Sequence, residues 1–301
     1  MKLRKLLMKN GANMELTLIK KIDQYGRLVM FSHSIFSLSF ALVSMAMASK
    51  LNIDFKTLVY AILALMFART GANAINRLID AYYDERNPRT STRHIPQGTV
   101  SKKETLVLSI VNFVFFVVFA NLLNPLCAIL SPVALFFLVT YSYTKRYTFL
   151  CHLYLGFTCA IATMGGYLAI TGAFLNLWPF TMFISNMFWV AGFDIIYGSQ
   201  DYDFDKSIGL HSMATQFGVK GALNIAILLH FVSIVFLFLT GFLYGNFNDF
   251  YYIIIGIIAI LLSYEHIIVA KTKFKHIKIA SYGINQIVAI IFMLSILTIS
   301  R

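Results

Sequence analysis

The sequence predicts an all-α membrane protein, a bundle of nine transmembrane helices around a central cavity. Of the 301 residues, 58% are hydrophobic and only 13% are charged, which is more apolar than the roughly 45–50% of an ordinary soluble domain. The apolar residues also stand in runs of about 20, the length of a helix that crosses the hydrocarbon core. Backbone groups in lipid must be hydrogen-bonded within their own segment, so each run is predicted to be helical.

Nine apolar runs are long enough to span a membrane. They cover residues 29–49, 57–80, 105–124, 126–143, 150–173, 178–199, 221–243, 248–270 and 279–299. Residues 1–28 are basic and polar, which predicts a cytoplasmic N-terminal segment without a cleavable signal peptide. We expect the whole chain, 1–301, to form a single membrane-embedded domain.

The distribution of charge predicts the orientation of the bundle. With nine spans and a cytoplasmic N-terminus, 20 of the 25 Lys and Arg residues fall on the cytoplasmic side. The positive-inside rule therefore places the N-terminus inside and the C-terminus on the opposite side of a cell inner membrane. The net charge of +12 then indicates affinity for anionic membrane lipid. No basic patch stands apart from these loops, so nucleic acid is not an expected partner.

Acidic residues are concentrated at the cytoplasmic ends of two spans. Seven of the 13 are found there: Asp80, Asp84, Glu85, Asp194, Asp201, Asp203 and Asp205. The pairs Asp80/Asp84 and Asp201/Asp205 have the same internal spacing and are offset by 121 positions, which matches four helices with their loops. We infer a weak internal repeat of helices 1–4 and 5–8, with a ninth added. The two acidic ends would face each other across the cavity.

The second span has one polar stripe, formed by Arg69, Asn73, Asn76, Asp80 and Asp84. Such a stripe faces the interior of a bundle, because charge is costly in lipid. Two carboxylates one turn apart repel each other unless a cation lies between them. Oxygen ligands of this kind suit Mg²⁺ with substrate phosphates. The alternative is a set of buried carboxylates paired with Arg69, Arg77 or Arg86.

The sixth span repeats this arrangement. Asp194, Asp201 and Asp205 share one helical face, Tyr197 lies beside Asp194, and Asp203 points elsewhere and is interpreted as solvated. Two facing acidic clusters would be stabilised by divalent cations that bridge a polyphosphate. The sequence therefore predicts a magnesium–polyphosphate site.

Basic side chains follow both acidic ends and are candidates for binding phosphate. Arg89 and Arg93 come after the first cluster, and Lys145 and Arg146 lie one turn after Tyr141. An ordinary positive-inside loop remains the alternative for Lys145 and Arg146. Arg27, before the first span, is a candidate for binding a carboxylate on a second substrate, and a snorkelling interfacial charge is its alternative.

The motifs together resemble those of the UbiA family of intramembrane prenyltransferases. The resemblance rests on Asn76-x-x-x-Asp80-x-x-x-Asp84, the Arg-rich loop after it, Tyr141-x-x-x-Lys145 and Asp201-x-x-x-Asp205. It covers the whole chain and is similar to the 4-hydroxybenzoate polyprenyltransferase type, including the group that acts in menaquinone synthesis. The resemblance implies a Mg²⁺ cofactor, a polyprenyl diphosphate donor and an electron-rich aromatic acceptor.

The expected activity is Mg²⁺-dependent transfer of a polyprenyl group to a small aromatic acid, 4-hydroxybenzoate or a dihydroxynaphthoate, in ubiquinone or menaquinone biosynthesis. The expected metal ligands are Asn76, Asp80, Asp84, Asp201 and Asp205. The catalytic candidates are Asp80, Asp84, Asp201, Asp205, Asp194 and Lys145, with Asp194 a candidate for removing the ring proton. The substrate-binding candidates are Arg27, Asn76, Arg89, Arg93, Tyr141, Arg146 and Tyr197. A haem-farnesylating or lipid-ether-forming relative and, from another class, a secondary transporter are the alternatives.

Overall fold

The computed structural model describes residues 24–26, 28, 34–272, 274–277 and 279–299. Within these residues the regular structure is helical, apart from an isolated antiparallel bridge between Phe247 and Ile299. Eight of the described helical segments are long and apolar enough to cross a membrane. A ninth, Ser34–Ser49, is apolar and has 16 described residues. The predicted all-α membrane fold is confirmed.

The helices follow the predicted order. Their bounds are α1 Ser34–Ser49, α2 Phe55–Ile79, α3 Ala81–Arg86, α4 Lys102–Leu123, α5 Pro125–Thr144, α6 Cys151–Thr171, α7 Trp178–Gly198, α8 Tyr202–Ser207, α9 Met213–Tyr244, α10 Phe250–Thr272 and α11 Asn285–Met293. A 3₁₀ turn, Ser199–Asp201, joins α7 to α8. A π-helix, Ile279–Ile284, leads into α11, and a 3₁₀ segment, Leu294–Thr298, follows it.

Short polar signals set several helix ends. Asp54 accepts a hydrogen bond from the Thr57 amide at the start of α2, and Ser101 with Glu104 forms a capping box at the start of α4. Each signal satisfies backbone amides that have no partner within the helix. The helices therefore begin and end close to the membrane-facing segments that the apolar runs predict.

The acid-bearing helices are not continuous, which corrects the single stripe predicted through Asp84. Helix α2 ends at Ile79, Asp80 forms its C-cap, and α3 is a separate six-residue helix. At the break Asp80 has φ −85° and ψ −1°, and its carboxylate accepts a hydrogen bond from the Asn76 side-chain amide at 2.8 Å and, within the described residues, none from a backbone amide. The second half of the chain breaks in the same way after α7, where α8 begins and ends 121 residues after α3. The repeat therefore extends to the backbone of both acidic ends.

One predicted boundary was wrong by eight residues. The seventh span was expected to begin at residue 221, but α9 begins at Met213. Ser212 and Thr215 form a capping box there, and the helix is kinked at Gly218, whose φ is 71°. This first part is a polar, capped segment, which apolarity alone does not detect.

Aromatic rings and close backbone contacts hold the bundle together. Trp189 of α7 stacks on Phe40 of α1, which in turn contacts Phe292 of α11. Helix α6 has no side chain at Gly156 and Gly166, where it meets the backbones of α7 and α1. Small residues allow this approach, which is the usual way that helices pack in lipid. The packing brings α2, α6 and α7 around one interior space.

Candidate active site

Both acidic helix ends line one cavity of about 310 Å³. The cavity is lined by 12 of the 13 candidate residues, which are Asn76, Asp80, Asp84, Arg89, Arg93, Tyr141, Lys145, Arg146, Asp194, Tyr197, Asp201 and Asp205. The thirteenth, Arg27, lies outside the described residues. The facing arrangement expected of the repeat is therefore what the structure has.

The loop after α3 contacts the opposite half of the molecule through Arg89. Its guanidinium donates from Nε to Asp201 Oδ1 at 2.8 Å and from Nη2 to Asp201 Oδ2 at 2.5 Å. Its Nη1 donates to the Tyr197 hydroxyl at 2.8 Å, and the Asn87 amide also donates to Asp201 Oδ1, at 3.1 Å. A bidentate pair of this kind fixes both the position and the plane of the carboxylate.

The other three carboxylates among the candidate metal ligands also have basic partners. Arg93 Nη1 lies 2.6 Å from Asp84 Oδ1, and Lys145 Nζ lies 2.7 Å from Asp205 Oδ2. Arg146 Nη2 lies 3.6 Å from Asp80 Oδ1 and donates to the Ile79 carbonyl at 2.8 Å.

The candidate metal ligands and the candidate phosphate-binding residues pair with each other one to one. Each of the four candidate metal-binding carboxylates is paired with one of the four candidate phosphate-binding cations. Arg86, one of the alternative partners, lies 4.0 Å from Glu85 instead. The arrangement therefore places four acid–base pairs around one space.

Burial and neighbouring charges act on the groups outside the membrane-spanning segments. Burial, followed by repulsion from Asp84, raises the pKa of Asp80 to about 6. Burial opposes the charge of Lys145, but the Asp205 carboxylate outweighs it and raises the pKa of Lys145 above its ordinary value. Lys145 therefore carries a full positive charge at neutral pH. Because the pKa of Asp80 lies close to neutral pH, a cation beside it would favour its ionised form.

The donor set fits a magnesium ion. Four carboxylates and the Asn76 amide supply oxygen ligands at one cavity, and Mg²⁺ prefers one or two carboxylates with phosphate oxygens. Across the described ranges, no three His, Cys, Asp or Glu side chains lie together as a ready-made metal cluster. Each carboxylate instead contacts a basic side chain.

The candidate set leaves out several residues that line the cavity, among them His152, Tyr282 and Arg69. His152, near the start of α6, has Nδ1 2.7 Å from Asp194 Oδ2. Tyr282 comes from the π-helix, and its ring lies 4.8 Å from that of Tyr197. Arg69 of the polar stripe also lines the cavity. Only Arg69 carried a signal, because an arginine inside a span normally faces a functional space.

A second cavity, of about 270 Å³, adjoins the first and lies among the membrane-spanning helices. Its lining is mainly aliphatic and aromatic, and the two cavities share Arg69, Leu138, Thr158 and Cys159. At this junction Arg69 Nη1 donates to Cys159 Sγ at 3.3 Å. The Arg69 Nε is buried and has no hydrogen-bond partner in the described part of the chain. A polar cavity thus adjoins an apolar one, with an arginine at their boundary.

The sequence is similar to those of known proteins. The family model described as the UbiA prenyltransferase family matches residues 37–296. A 4-hydroxybenzoate octaprenyltransferase of Shewanella piezotolerans is 30% identical over 198 residues, 64% of this chain and 69% of that protein. The enzyme of the same name from Francisella tularensis subsp. mediasiatica is 28% identical over 257 residues, 85% of this chain and 89% of that protein.

Solved structures show the same fold. A UbiA homologue from Aeropyrum pernix K1, in its apo form, superposes with a TM-score of 0.81 at 29% identity and covers 89% of this chain and 98% of its own. A homologue from Archaeoglobus fulgidus bound to GPP and Mg²⁺ has a TM-score of 0.68 at 19% identity, with coverage of 91% and 98%. This protein therefore belongs to the UbiA prenyltransferase family, as its acidic motifs predicted.

Proposed function

We propose that the protein transfers a polyprenyl group from a polyprenyl diphosphate to a ring carbon of a small aromatic acid, in quinone biosynthesis. 4-Hydroxybenzoate or a dihydroxynaphthoate is the acceptor class, for ubiquinone or menaquinone respectively. One observation carries the proposal: the charged cavity, with its four acid–base pairs, adjoins the apolar cavity and shares four lining residues with it. A prenyl diphosphate has a charged diphosphate head joined to an apolar prenyl tail, so its two parts match the two cavities.

The charged cavity suits the diphosphate head. Asn76, Asp80, Asp84, Asp201 and Asp205 would hold Mg²⁺, which when bound neutralises the charge that develops on a leaving diphosphate. Arg89, Arg93, Lys145 and Arg146 would bind the phosphate oxygens, because guanidinium and ammonium groups recognise them. Tyr141 and Tyr197 line the same space, and Tyr197 holds the Arg89 guanidinium. The Archaeoglobus fulgidus homologue, which has been solved with GPP and Mg²⁺ and with DMAPP and Mg²⁺, supports a prenyl diphosphate and Mg²⁺ as the ligands.

The apolar cavity suits the prenyl tail. It runs between the membrane-spanning helices and is lined by side chains such as Phe116, Phe137 and Phe157. Burying a long hydrocarbon there removes it from water and keeps it next to lipid. The aromatic rings also attract positive charge, and they would therefore stabilise an allylic cation in the cavity.

The acceptor carboxylate has a candidate partner in Arg69. This arginine lies where the two cavities meet, and among the described residues it makes no ion pair with a carboxylate. A cation in a membrane helix is costly without an anion, and an aromatic carboxylate would supply one. Arg27 stays a second candidate for this role.

We also propose that residues 1–301 form one domain, integral to the inner membrane, with the N-terminus inside and the C-terminus on the other side. The eight long apolar helices with α1 give the odd number of spans that this orientation needs. Family membership favours a prenyltransferase over the transporter alternative.

One assay tests the function. The purified protein in detergent is given a polyprenyl diphosphate, Mg²⁺ and several labelled aromatic acids, and the products are identified by mass spectrometry. We expect a product that carries the prenyl group on the ring of one acid, and no product in the presence of EDTA. The matched control acceptor is the same phenol without its carboxylate, which should react poorly. Prenylation of glycerol phosphate or haem, with all the aromatic acids unchanged, would overturn the proposal.

A further inference from the structure

The pair formed by His152 and Asp194 stands apart from the four acid–base pairs of the cavity. Both residues line the cavity, and His152 Nδ1 lies 2.7 Å from Asp194 Oδ2. The His152 side chain is 5% exposed, whereas that of Asp194 is 27% exposed. The imidazole is therefore enclosed by protein, and the carboxylate faces the space in which a substrate would lie.

The 2.7 Å distance is that of a hydrogen bond, and the chemistry of the two side chains decides which of them donates. An ionised aspartate can only accept hydrogen bonds, so His152 must donate from Nδ1. This bond fixes Oδ2, while Asp194 Oδ1 has no hydrogen-bond partner among the described residues. Asp194 also has no Arg or Lys partner in that part of the chain, unlike Asp80, Asp84 and Asp201. One of its oxygens is thus oriented and the other is available to take a proton.

The imidazole is held in place by the helix opposite. Gly198 lies one helical turn after Asp194 on α7, and a Cβ built there would be 2.9 Å from His152 Cε1. The ring therefore occupies space that any other residue at position 198 would take. Packing of this kind fixes the ring and makes its Nδ1 a donor of constant direction.

The position of Asp194 matches the acceptor rather than the diphosphate. It precedes Asp201 by seven residues, about two helical turns deeper into the bundle. Arg69, which donates a hydrogen bond to Cys159 at the cavity junction, lines the same cavity as Asp194. An aromatic acid whose carboxylate meets Arg69 would thus have its ring in the cavity that Asp194 faces.

We propose that Asp194 takes the ring proton and that His152 is the positioning residue that orients it, an inference that rests on the proposed function. The C–O bond of the allylic diphosphate breaks, and its electron pair leaves with the diphosphate. A ring carbon of the phenol then forms a bond to the allylic carbon. The C–H bond at that ring carbon breaks, its electron pair restores the aromatic ring, and its proton passes to Asp194 Oδ1. The carboxylic acid so formed keeps its hydrogen bond from His152.

The test uses two substitutions that differ in one hydrogen-bond donor. Asparagine can place its Nδ2 where His152 has Nδ1, so His152→Asn keeps the donor, whereas His152→Leu removes it. We expect His152→Leu to lower kcat by roughly ten- to a hundred-fold, part of what general base catalysis contributes, with KM for the acid little changed. His152→Asn should recover most of the rate. His152→Gln, which keeps a polar side chain of similar size, serves if the leucine variant does not fold.

A kinetic isotope effect separates positioning from mere packing. With the acceptor deuterated at the reacting ring carbons, the wild-type protein should show little isotope effect if bond ionisation limits the rate. The leucine variant should show a primary isotope effect on kcat, because proton removal has become slow. A lowered kcat without that effect, or an asparagine variant as slow as the leucine one, would overturn the proposal. If the wild-type protein prenylates no aromatic acid at all, the proposed function has failed instead.

Discussion

Arg89 binds Asp201 through two parallel hydrogen bonds, Nε to Oδ1 at 2.8 Å and Nη2 to Oδ2 at 2.5 Å. The two residues are 112 positions apart and belong to the two halves of the internal repeat. The pair therefore links the loop after the first acidic helix end to the second one. It also gives the Asp201 carboxylate a fixed plane within the cavity.

The carboxylates of the two halves should be equally necessary for turnover. We expect Asp80→Ala and Asp201→Ala each to lower the rate by more than about tenfold, or ~1.4 kcal/mol of barrier, because each removes an oxygen ligand from the proposed magnesium site. The control is Asp203→Ala, since Asp203 is exposed and does not line the cavity. For all three variants, the rate of prenyl transfer is measured, and the fold of the protein purified in detergent is checked. A wild-type rate in either cavity variant would remove that residue from the proposed metal site.

Arg69 should recognise the acceptor rather than the donor. Loss of a charge-assisted hydrogen bond costs about 1.5–3 kcal/mol, so Arg69→Ala should raise KM for the aromatic acid roughly ten- to a hundred-fold. KM for the polyprenyl diphosphate should change little. Arg86→Ala is the matched control, because Arg86 lies outside the cavity and contacts Tyr82 and Glu85. Arg27→Ala in the same assay decides between the two arginines, and an effect at Arg27 alone would reassign the carboxylate site.

The fold could be predicted from the sequence because each span is a long apolar run. The facing acidic ends could also be predicted, since Asp80 and Asp201 come from equivalent positions of a repeat. The break at Asp80 could not, because helical periodicity continues through Asp84 as if the helix did. A change of φ and ψ at one residue breaks the helix without changing the polar pattern of the sequence.

Two other residues of the cavity lining were harder to predict. His152 is a single histidine at the start of an apolar span, and its partner Asp194 is 42 residues away. Tyr282 reaches the cavity from a π-helix, whose wider turn is not visible in an apolar run. Such contacts depend on how helices are rotated against one another, and that rotation is decided by packing.

Arg146 should act on the chemical step. It lies beside Asp80 and donates to the Ile79 carbonyl, so its charge is held at the end of the cavity where diphosphate is proposed to leave. An interaction that is stronger in the transition state lowers the barrier without improving substrate binding. We expect Arg146→Ala to lower kcat with less effect on either KM. Steady-state constants for both substrates measure this, and a change confined to KM for the diphosphate would show that Arg146 binds the ground state only.

The orientation in the membrane can be tested with reporters fused at two points. The loop between α10 and the π-helix contains Lys275, and the positive-inside rule places it in the cytoplasm. A reporter fused after Lys275 should therefore be active only in the cytoplasm, and one fused after Arg301 only on the opposite side. The same location for both reporters would remove the last segment, Ile279–Thr298, from the membrane-spanning set.

Two adjacent glycines of α6 should differ sharply in their tolerance of a methyl group. A Cβ on Gly166 would collide with the Ala41 carbonyl oxygen and approach its Cα at 3.1 Å. Those are backbone atoms of α1, and they cannot move without shifting the helix. A Cβ on Gly165 would meet nothing within 4 Å. Only Gly166 is therefore required by the close approach of the two helices.

We expect Gly166→Ala to destabilise the protein by about 1–3 kcal/mol, the usual effect of overpacking. Gly165→Ala is the internal control, because it adds the same methyl group to the same helix one residue away. It should leave stability unchanged or raise it by up to ~1 kcal/mol, since alanine is the better helix former. The melting temperatures of the purified variants in detergent measure both effects. Equal melting of the two variants would mean that α1 and α6 are not in backbone contact at Ala41. The wall of the apolar cavity that they share would then have to be placed differently.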